Sequence, residues 1–466
     1  MAAQVSVIAT SSLGDRSYLA TDGRVAVVVD PQRDIDRIMY LAGEKGVRIT
    51  HVVETHIHND YVSGGLELAR LTGAEYLISA HDEVDFDRVP VSDGDEVAVS
   101  EGLRLRVVGT PGYTFHHLSY VLDEAADGGW SPAGVFTGGS LLFGTTGRTD
   151  LLGQQHAHEL AHHQYASARK LADLLPDGAQ VWPTHGFGSF CSASQTDAPE
   201  STIEREKQAN PVLRLAADSF VRETLAALDA YPAYYAHMGA VNTAGPAPVD
   251  LTPVTRADAA ELRRRITAGE WVVDLRYRKA YAASHLAGTV NLGLDGPMST
   301  WLGWLIDWEV PITFLAETAE QIADAQRELV RIGIDRPAAQ ATGAPEKWAT
   351  DRSDLRKLTV ADFPALAAAQ GGNTPAGLPD PQAILDVRMT YEWKTGHIDG
   401  AVHVPLPDLP TRLDEVPSGT VWVHCGSGYR ATAAASLLAN AGRDVVLIDD
   451  MFSRAEQAGV QMAATT

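Results

Sequence analysis

Two stretches of this chain repeat one another at a fixed offset, and that repeat limits its architecture more than any other feature. In VVDLRYRKAYAASHLAGTVNL, Asp274, Arg276, His285, Gly288 and Val290 each stand 112 positions before Asp386, Arg388, His397, Gly400 and Val402 of ILDVRMTYEWKTGHIDGAVHV. Five identities at one offset indicate a duplicated supersecondary unit. Each copy reads as a buried strand, a turn carrying D-x-R, a helix ending near the histidine and a second strand. A later strand and a long helix complete a parallel βαβ arrangement.

The two copies occupy less than half of 466 residues, so more than one buried core is expected. Upstream, to about residue 190, β-rich runs such as RVAVVVD and LRLRVVG alternate with helical patterns such as DIDRIMYLAGEKG, which predicts a layered α/β domain. A helical stretch from about 197 to 240 breaks at NTAGPAPVDLTP, and a weaker break lies around 340 to 354. Three domains are predicted, at 1–245, 255–345 and 356–466.

Charge excludes some partners. Lys and Arg number 37 against 60 Asp and Glu, a net −23, which opposes the phosphate neutralisation that nucleic-acid or anionic-membrane binding needs. Two cysteines in so long a chain make no disulfide framework. The start lacks a basic leader, and no apolar run is long enough to span a membrane. A cytoplasmic protein is expected. Only 7 of the 37 basic residues are Lys, a bias in keeping with a GC-rich bacterial source. The oligomeric state is left open, with room for a homo-oligomer.

The second copy of the repeat carries chemistry. The strand Val421 to Val423 runs into His424-Cys425-Gly426-Ser427-Gly428-Tyr429-Arg430, and a helical pattern opens at once. Two glycines let the loop curl with its N–H groups inward, the helix N-terminus adds partial positive charge, and Arg430 adds a cation. A thiolate held there can attack a sulfur donor, carry the sulfur as a persulfide and release it to a thiol or cyanide. A Cys-x5-Arg phosphatase cradle shares this logic, but its loop is one residue longer.

LDVR, GHIDGAVHVP and CGSGYRA resemble the rhodanese (thiosulfate sulfurtransferase) domain over about 356 to 460. The resemblance implies Cys425 as nucleophile, residues 426 to 430 as the sulfur-binding loop, and Asp386 and Arg388 in support. In the first copy Ala316 falls opposite Cys425 and Gln321 opposite Arg430. Residues 255–345 are therefore expected to be a non-catalytic rhodanese-like domain.

Upstream, the strand HVVE leads into Thr55-His56-Ile57-His58-Asn59-Asp60-Tyr61. His-x-His-x-Asp after a strand projects alternate side chains from one side of an extended segment, so imidazoles and a carboxylate can converge on a metal. Together with TPGYTFHHLSY, FTGGS and WPTHG, it resembles the metallo-β-lactamase fold over about 1 to 240. TGRTDLLG and a His followed by GSFCS are most similar to the persulfide dioxygenase branch that is fused to rhodanese domains. That resemblance implies an αββα sandwich, mononuclear non-haem iron on two His and a carboxylate, and sulfite plus a thiol as products.

Two of the three implied iron ligands are replaced. His56 matches, but Tyr113 stands for the second His and Gly139 for the carboxylate; Tyr61 replaces a further His. The remaining candidates are His56, His58, Asp60 and His185, for Fe or Zn. Three outcomes stay open: a metal-free pocket, which we favour; a metal on those four residues with a Tyr113 phenolate; or recruitment of His116 or His117. Cys191 lies near enough to face the pocket, and His156, His158, His162 and His163 read as an exposed helix face.

The overall expectation is an α/β chain, a metallo-β-lactamase-like αββα sandwich followed by two rhodanese-like domains with parallel sheets. Its expected function is transfer of sulfur between small-molecule persulfide, thiosulfate and thiol. The alternatives are an iron-dependent persulfide dioxygenase coupled to that transfer, and a non-catalytic persulfide sensor or scaffold.

Overall fold

Alternation of apolar side chains along the front strands produces two sheets with two kinds of face. The computed structural model describes residues 3–191, 198–308 and 310–463. Ser192 of the GSFCS motif and Asp197, where the helical stretch begins, lie outside them. Cα proximity divides the chain into two units, residues 1–249 with 330–333, and 250–329 with 334–466.

In the first unit one sheet orders the strands Gln4–Thr10, Asp15–Thr21, Val25–Val29, Arg48–Val53, Glu75–Ser79 and Val89–Val91, parallel from Val25–Val29 onward. The other orders Ser201–Thr202, Gln180–Pro183, Gly129–Gly138, Leu118–Ala126, Leu103–Gly109 and Glu96–Ala98. Tyr18, Val27 and Val29 of the first sheet share a core with Leu103, Leu105 and Phe136 of the second. The intervening residues face outward: Ala26 and Val28 pack with Ile38 and Leu66 of the helices Asp36–Lys45 and Gly65–Thr72. Val121 and Val135 pack with Leu171 of Ala157–Leu174 and Phe220 of Ala217–Ala226. The result is the expected αββα sandwich, with each sheet buried on both faces.

The second unit contains two fully parallel sheets. One orders Val290–Asn291, Trp271–Asp274, Ile312–Ala316 and Ala339–Thr342; the other orders Thr359–Ala361, Val445–Ile448, Val421–His424, Ala383–Asp386 and Val402–His403. Short, continuous apolar strands such as VVLI and ITFLA are what a sheet covered on both faces requires.

The repeat is visible in atomic detail. Arg276 forks onto Asp274 and donates to the Ser284 carbonyl at 2.8 Å; Arg388 does the same to Asp386 and to the Gly396 carbonyl at 2.8 Å. His285 stacks on Tyr281 with ring centroids 4.0 Å apart, and His397 on Trp393 at 3.6 Å. Shared residues thus fix the turn after the first strand in both copies. They build the scaffold of each turn. Among the described residues no helix is long and apolar enough to cross a membrane.

Candidate functional site

At the carboxyl end of a parallel strand the chain must turn into a helix, and this is where open α/β sheets place ligands. The strand Val421–His424 ends at Cys425, and the helix Tyr429–Asn440 begins four residues later. Gly428 makes the turn possible with φ +95; a Cβ there would lie 2.2 Å from an Asp449 oxygen. The Gly428 N–H points at Cys425 Sγ over 3.2 Å, and the Gly426 carbonyl is tied down by the Phe452 N–H at 2.9 Å. Cys425 is only 1% exposed, at the floor of the loop, whereas Ser427 is exposed and Gly426 half-buried.

Arg430 does not face the thiol unopposed. Both its terminal nitrogens donate to Glu392, Nη2 to Oε1 at 2.8 Å, and the guanidinium lies 5.4 Å from the Trp301 ring centroid. Burial alone would raise the Glu392 carboxyl, but the hydrogen bond and charge of Arg430 outweigh it and hold it below the usual carboxylate range. Tyr429 is anchored through its hydroxyl to the Gly293 carbonyl at 2.8 Å, so its contribution to the loop is its backbone. Trp301 and Gly293 belong to the first copy of the repeat. Asp386 and Arg388 form a buried pair beneath the loop, and Arg388 lies over the Phe452 ring. His424, facing Asp386 at 3.6 Å, is driven by burial to a pKa of about 4 and is neutral.

The same place in the first copy is closed. The strand Ile312–Ala316 ends on Ala316, and the Gln321 side chain accepts from the Glu317 and Thr318 N–H groups at 2.8 and 3.2 Å. Amides that an anion would need are occupied by the chain's own carboxamide.

In the first unit, His56, His58, Asp60, Tyr113 and His185 are brought together and buried. His56 Nε2 lies 3.5 Å from His185 Nε2, and burial first, then neighbouring imidazoles, keep His56 neutral. His185 Nδ1 reaches Asp15 at 2.9 Å and Asp60 at 3.2 Å. His58 turns Nε2 to Glu54 at 3.0 Å and Asp30 at 3.4 Å, while its Nδ1 stays on the side of Asp60 at 4.0 Å. Burial would lower it, but those carboxylates push it up to about 10. Cys191 does join the group: its Sγ donates to Asp60 Oδ2 at 3.2 Å, and burial pushes the thiol up.

Ligand atoms of His56, His58 and His185 lie within 4.8 Å of one another, as do those of Asp60, His185 and Cys191. That donor set is compatible with a metal ion such as iron or zinc. The iron triad implied by the persulfide dioxygenase resemblance does not fit. A Cβ on Gly139 would stand 2.4 Å from Tyr113 Cγ, so the tyrosine ring fills the space from which the carboxylate would project.

The recruitment outcome is corrected by the structure. His116 is exposed and pairs with Asp82 at 2.8 Å. His117 is buried with Nε2 accepting from the Gly139 N–H at 3.1 Å and Nδ1 on Thr110 at 2.9 Å. His158, His162 and His163 lie exposed on their helix, as expected, whereas His156, just before its first residue, is half-buried against the Phe115 ring. Sequence reasoning missed Glu392, Asp15, Asp30 and Glu54. The last two end the apolar runs RVAVVVD and HVVE, a position at parallel-strand termini that could have flagged them.

Residues 16–177 match the metallo-beta-lactamase superfamily and residues 373–455 the rhodanese-like domain. The human mitochondrial persulfide dioxygenase ETHE1 is 30% identical over 220 residues, covering 47% of this chain and 76% of that protein. A hydroxyacylglutathione hydrolase of Synechococcus sp. is 35% identical over 172 residues, 35% of this chain and 60% of that one. The crystal structure of a metallo-beta-lactamase from Staphylococcus aureus subsp. aureus COL superposes with a TM-score of 0.66 at 28% identity, covering 74% of this chain and all of that one. The chain therefore belongs to the persulfide dioxygenase family of the metallo-beta-lactamase superfamily, and carries a rhodanese-like domain toward its C-terminal end.

Proposed function

We propose that the chain is a rhodanese-type sulfurtransferase in reactive-sulfur metabolism, with Cys425 as nucleophile and sulfur carrier. The observation that carries this reading is the Gly428 N–H aimed at Cys425 Sγ from the start of a 12-residue helix. Amide hydrogens and the helix end favour the thiolate and an anion attached to it. The thiolate attacks the outer sulfur of a small-molecule persulfide or thiosulfate. A new S–S bond forms on Cys425, the donor's S–S bond breaks, and its electron pair leaves with a thiolate or sulfite. An acceptor thiolate or cyanide then takes the outer sulfur and regenerates Cys425.

The first unit is read as a degenerate relative of persulfide dioxygenase that binds sulfur compounds or supports the transferase. The dioxygenase alternative needs a carboxylate where the Tyr113 ring stands beside Gly139, and is not adopted. Turnover of the full chain with a persulfide donor and a thiol acceptor tests the proposal. Many sulfur atoms moved per protein are expected. Loading that stops at one sulfur per Cys425 would instead make the protein a persulfide sensor.

A further inference from the structure

The loop around Cys425 contains a single cation, and the structure pairs it. Glu392, on the helix Thr390–Thr395, accepts from both terminal nitrogens of Arg430 and from the Met389 N–H at 3.0 Å. Its position is therefore fixed from two sides. A Cβ on Gly426 would stand 3.2 Å from Arg430 Nη2 and 3.6 Å from Glu392 Oε1, so the ion pair, and not the guanidinium alone, borders the first residue of the loop. Two further guanidinium groups next to the loop are also committed, whereas Arg454, on the short helix whose Phe452 N–H holds the Gly426 carbonyl, is exposed at the surface. Arg388 holds Asp386, and Arg278 lies between Asp295 and Asp449. His424 beneath the loop is neutral at physiological pH. A donor entering this cradle meets backbone amides and one guanidinium whose charge is already balanced.

Resting on the sulfurtransferase reading, we propose that Glu392 is a specificity-determining residue that selects donors lacking a dianionic group, persulfides of small thiols, over thiosulfate. The two donors differ in what leaves. With R–S–SH, Cys425–S⁻ forms a bond to the outer sulfur, the inner S–S bond breaks, and RS⁻ departs, leaving Cys425–S–SH. With thiosulfate the same attack leaves Cys425–S–S⁻ and expels SO₃²⁻. The second route gathers three negative charges against one balanced cation. Like charges in a partly buried site cost far more than in bulk water. The first route gathers no negative charge beyond that of the thiolate itself.

The test is the second-order rate at which Cys425 gains one sulfur, followed by intact mass of the full chain, with thiosulfate and with cysteamine persulfide as donors. Glu392→Gln keeps the shape of the side chain and frees the charge of Arg430. It is expected to raise the thiosulfate rate about tenfold relative to the cysteamine persulfide rate. Equal changes for both donors, or a thiosulfate rate that stays put or falls, would overturn the selectivity role and leave transfer by Cys425 standing. Loading of wild-type Cys425 by neither donor would instead remove the sulfurtransferase reading and the selectivity with it. A readout without the variant comes from ionic strength. Screening relieves repulsion between like charges, so added salt should speed thiosulfate loading of the wild type more than cysteamine persulfide loading. A thiosulfate rate that drops with salt shows an unbalanced cation at the site and contradicts the proposal.

Discussion

The ring of Tyr113 occupies the space that a side chain at residue 139 would need: a Cβ on Gly139 would sit 2.4 Å from Tyr113 Cγ. The two replacements are one event in packing terms, since each makes room for or fills the other. Gly139→Asp alone should overpack a closed site and bury a carboxylate, costing about 2 kcal/mol or more in denaturant unfolding. Tyr113→His with Gly139→Asp should recover most of that loss and raise the iron content of protein grown with added iron. Equal stability of the single variant and the parent contradicts this account.

The buried pairs Asp274–Arg276 and Asp386–Arg388 have the same fork geometry, closing at 2.6 Å in each copy of the repeat. Removing one partner of such a pair leaves an uncompensated buried charge, at about 3–5 kcal/mol. Asp274→Asn and Asp386→Asn should therefore lower stability by similar amounts, although only the second lies under a cysteine. Urea unfolding of both variants checks this, and a cost under about 1 kcal/mol for either one refutes the common scaffold role.

Acid should weaken the second unit through two buried histidines. Burial lowers His285 and His424 to about 4, against 6.5 in the unfolded chain. Because the folded values are depressed, the neutral imidazoles contribute their full stability above pH 6.5. That contribution is lost as pH falls from 6.5 through 4, amounting to about 3 kcal/mol for each buried group. The urea midpoint should fall over this window, and His424→Phe, which keeps a ring against Phe452, should flatten part of the decline. A midpoint unchanged between pH 7 and 4 opposes the assignment.

The two cysteines should react at different rates. Cys191 donates to Asp60 at 3.2 Å, and burial pushes its thiol up, so the reactive thiolate is scarce. Cys425 lies under an exposed loop residue with an amide aimed at its sulfur. Iodoacetamide on the native full chain should modify Cys425 first, by on the order of tenfold or more. Peptide mapping that finds Cys191 modified first contradicts this order.

Much of the fold was legible because periodic apolar runs and a repeat at a fixed offset encode layers and topology directly. Cys425 and its glycines were legible because strand, turn and helix residues are contiguous there. Glu392 was not, because its partner Arg430 lies 38 residues away and nothing in the local pattern joins them. The outcome at His58 was hidden in part for the same reason. His-x-His-x-Asp gives the spacing of donors after a strand, but which way the imidazole turns is decided by Glu54, just past the end of that same strand, and by Asp30, past the end of the neighbouring one. His116 and His117 are adjacent in sequence, yet one is at the surface and the other in the pocket wall.

The central claim is that sulfur passes through the side chain of Cys425. Steady-state transfer from a small persulfide to a thiol, measured on the full chain and on Cys425→Ser, addresses it directly. The account predicts a loss of at least about a thousandfold, as expected when a covalent nucleophile is removed, together with no sulfur retained on the variant. Turnover by Cys425→Ser at the parent rate would contradict it.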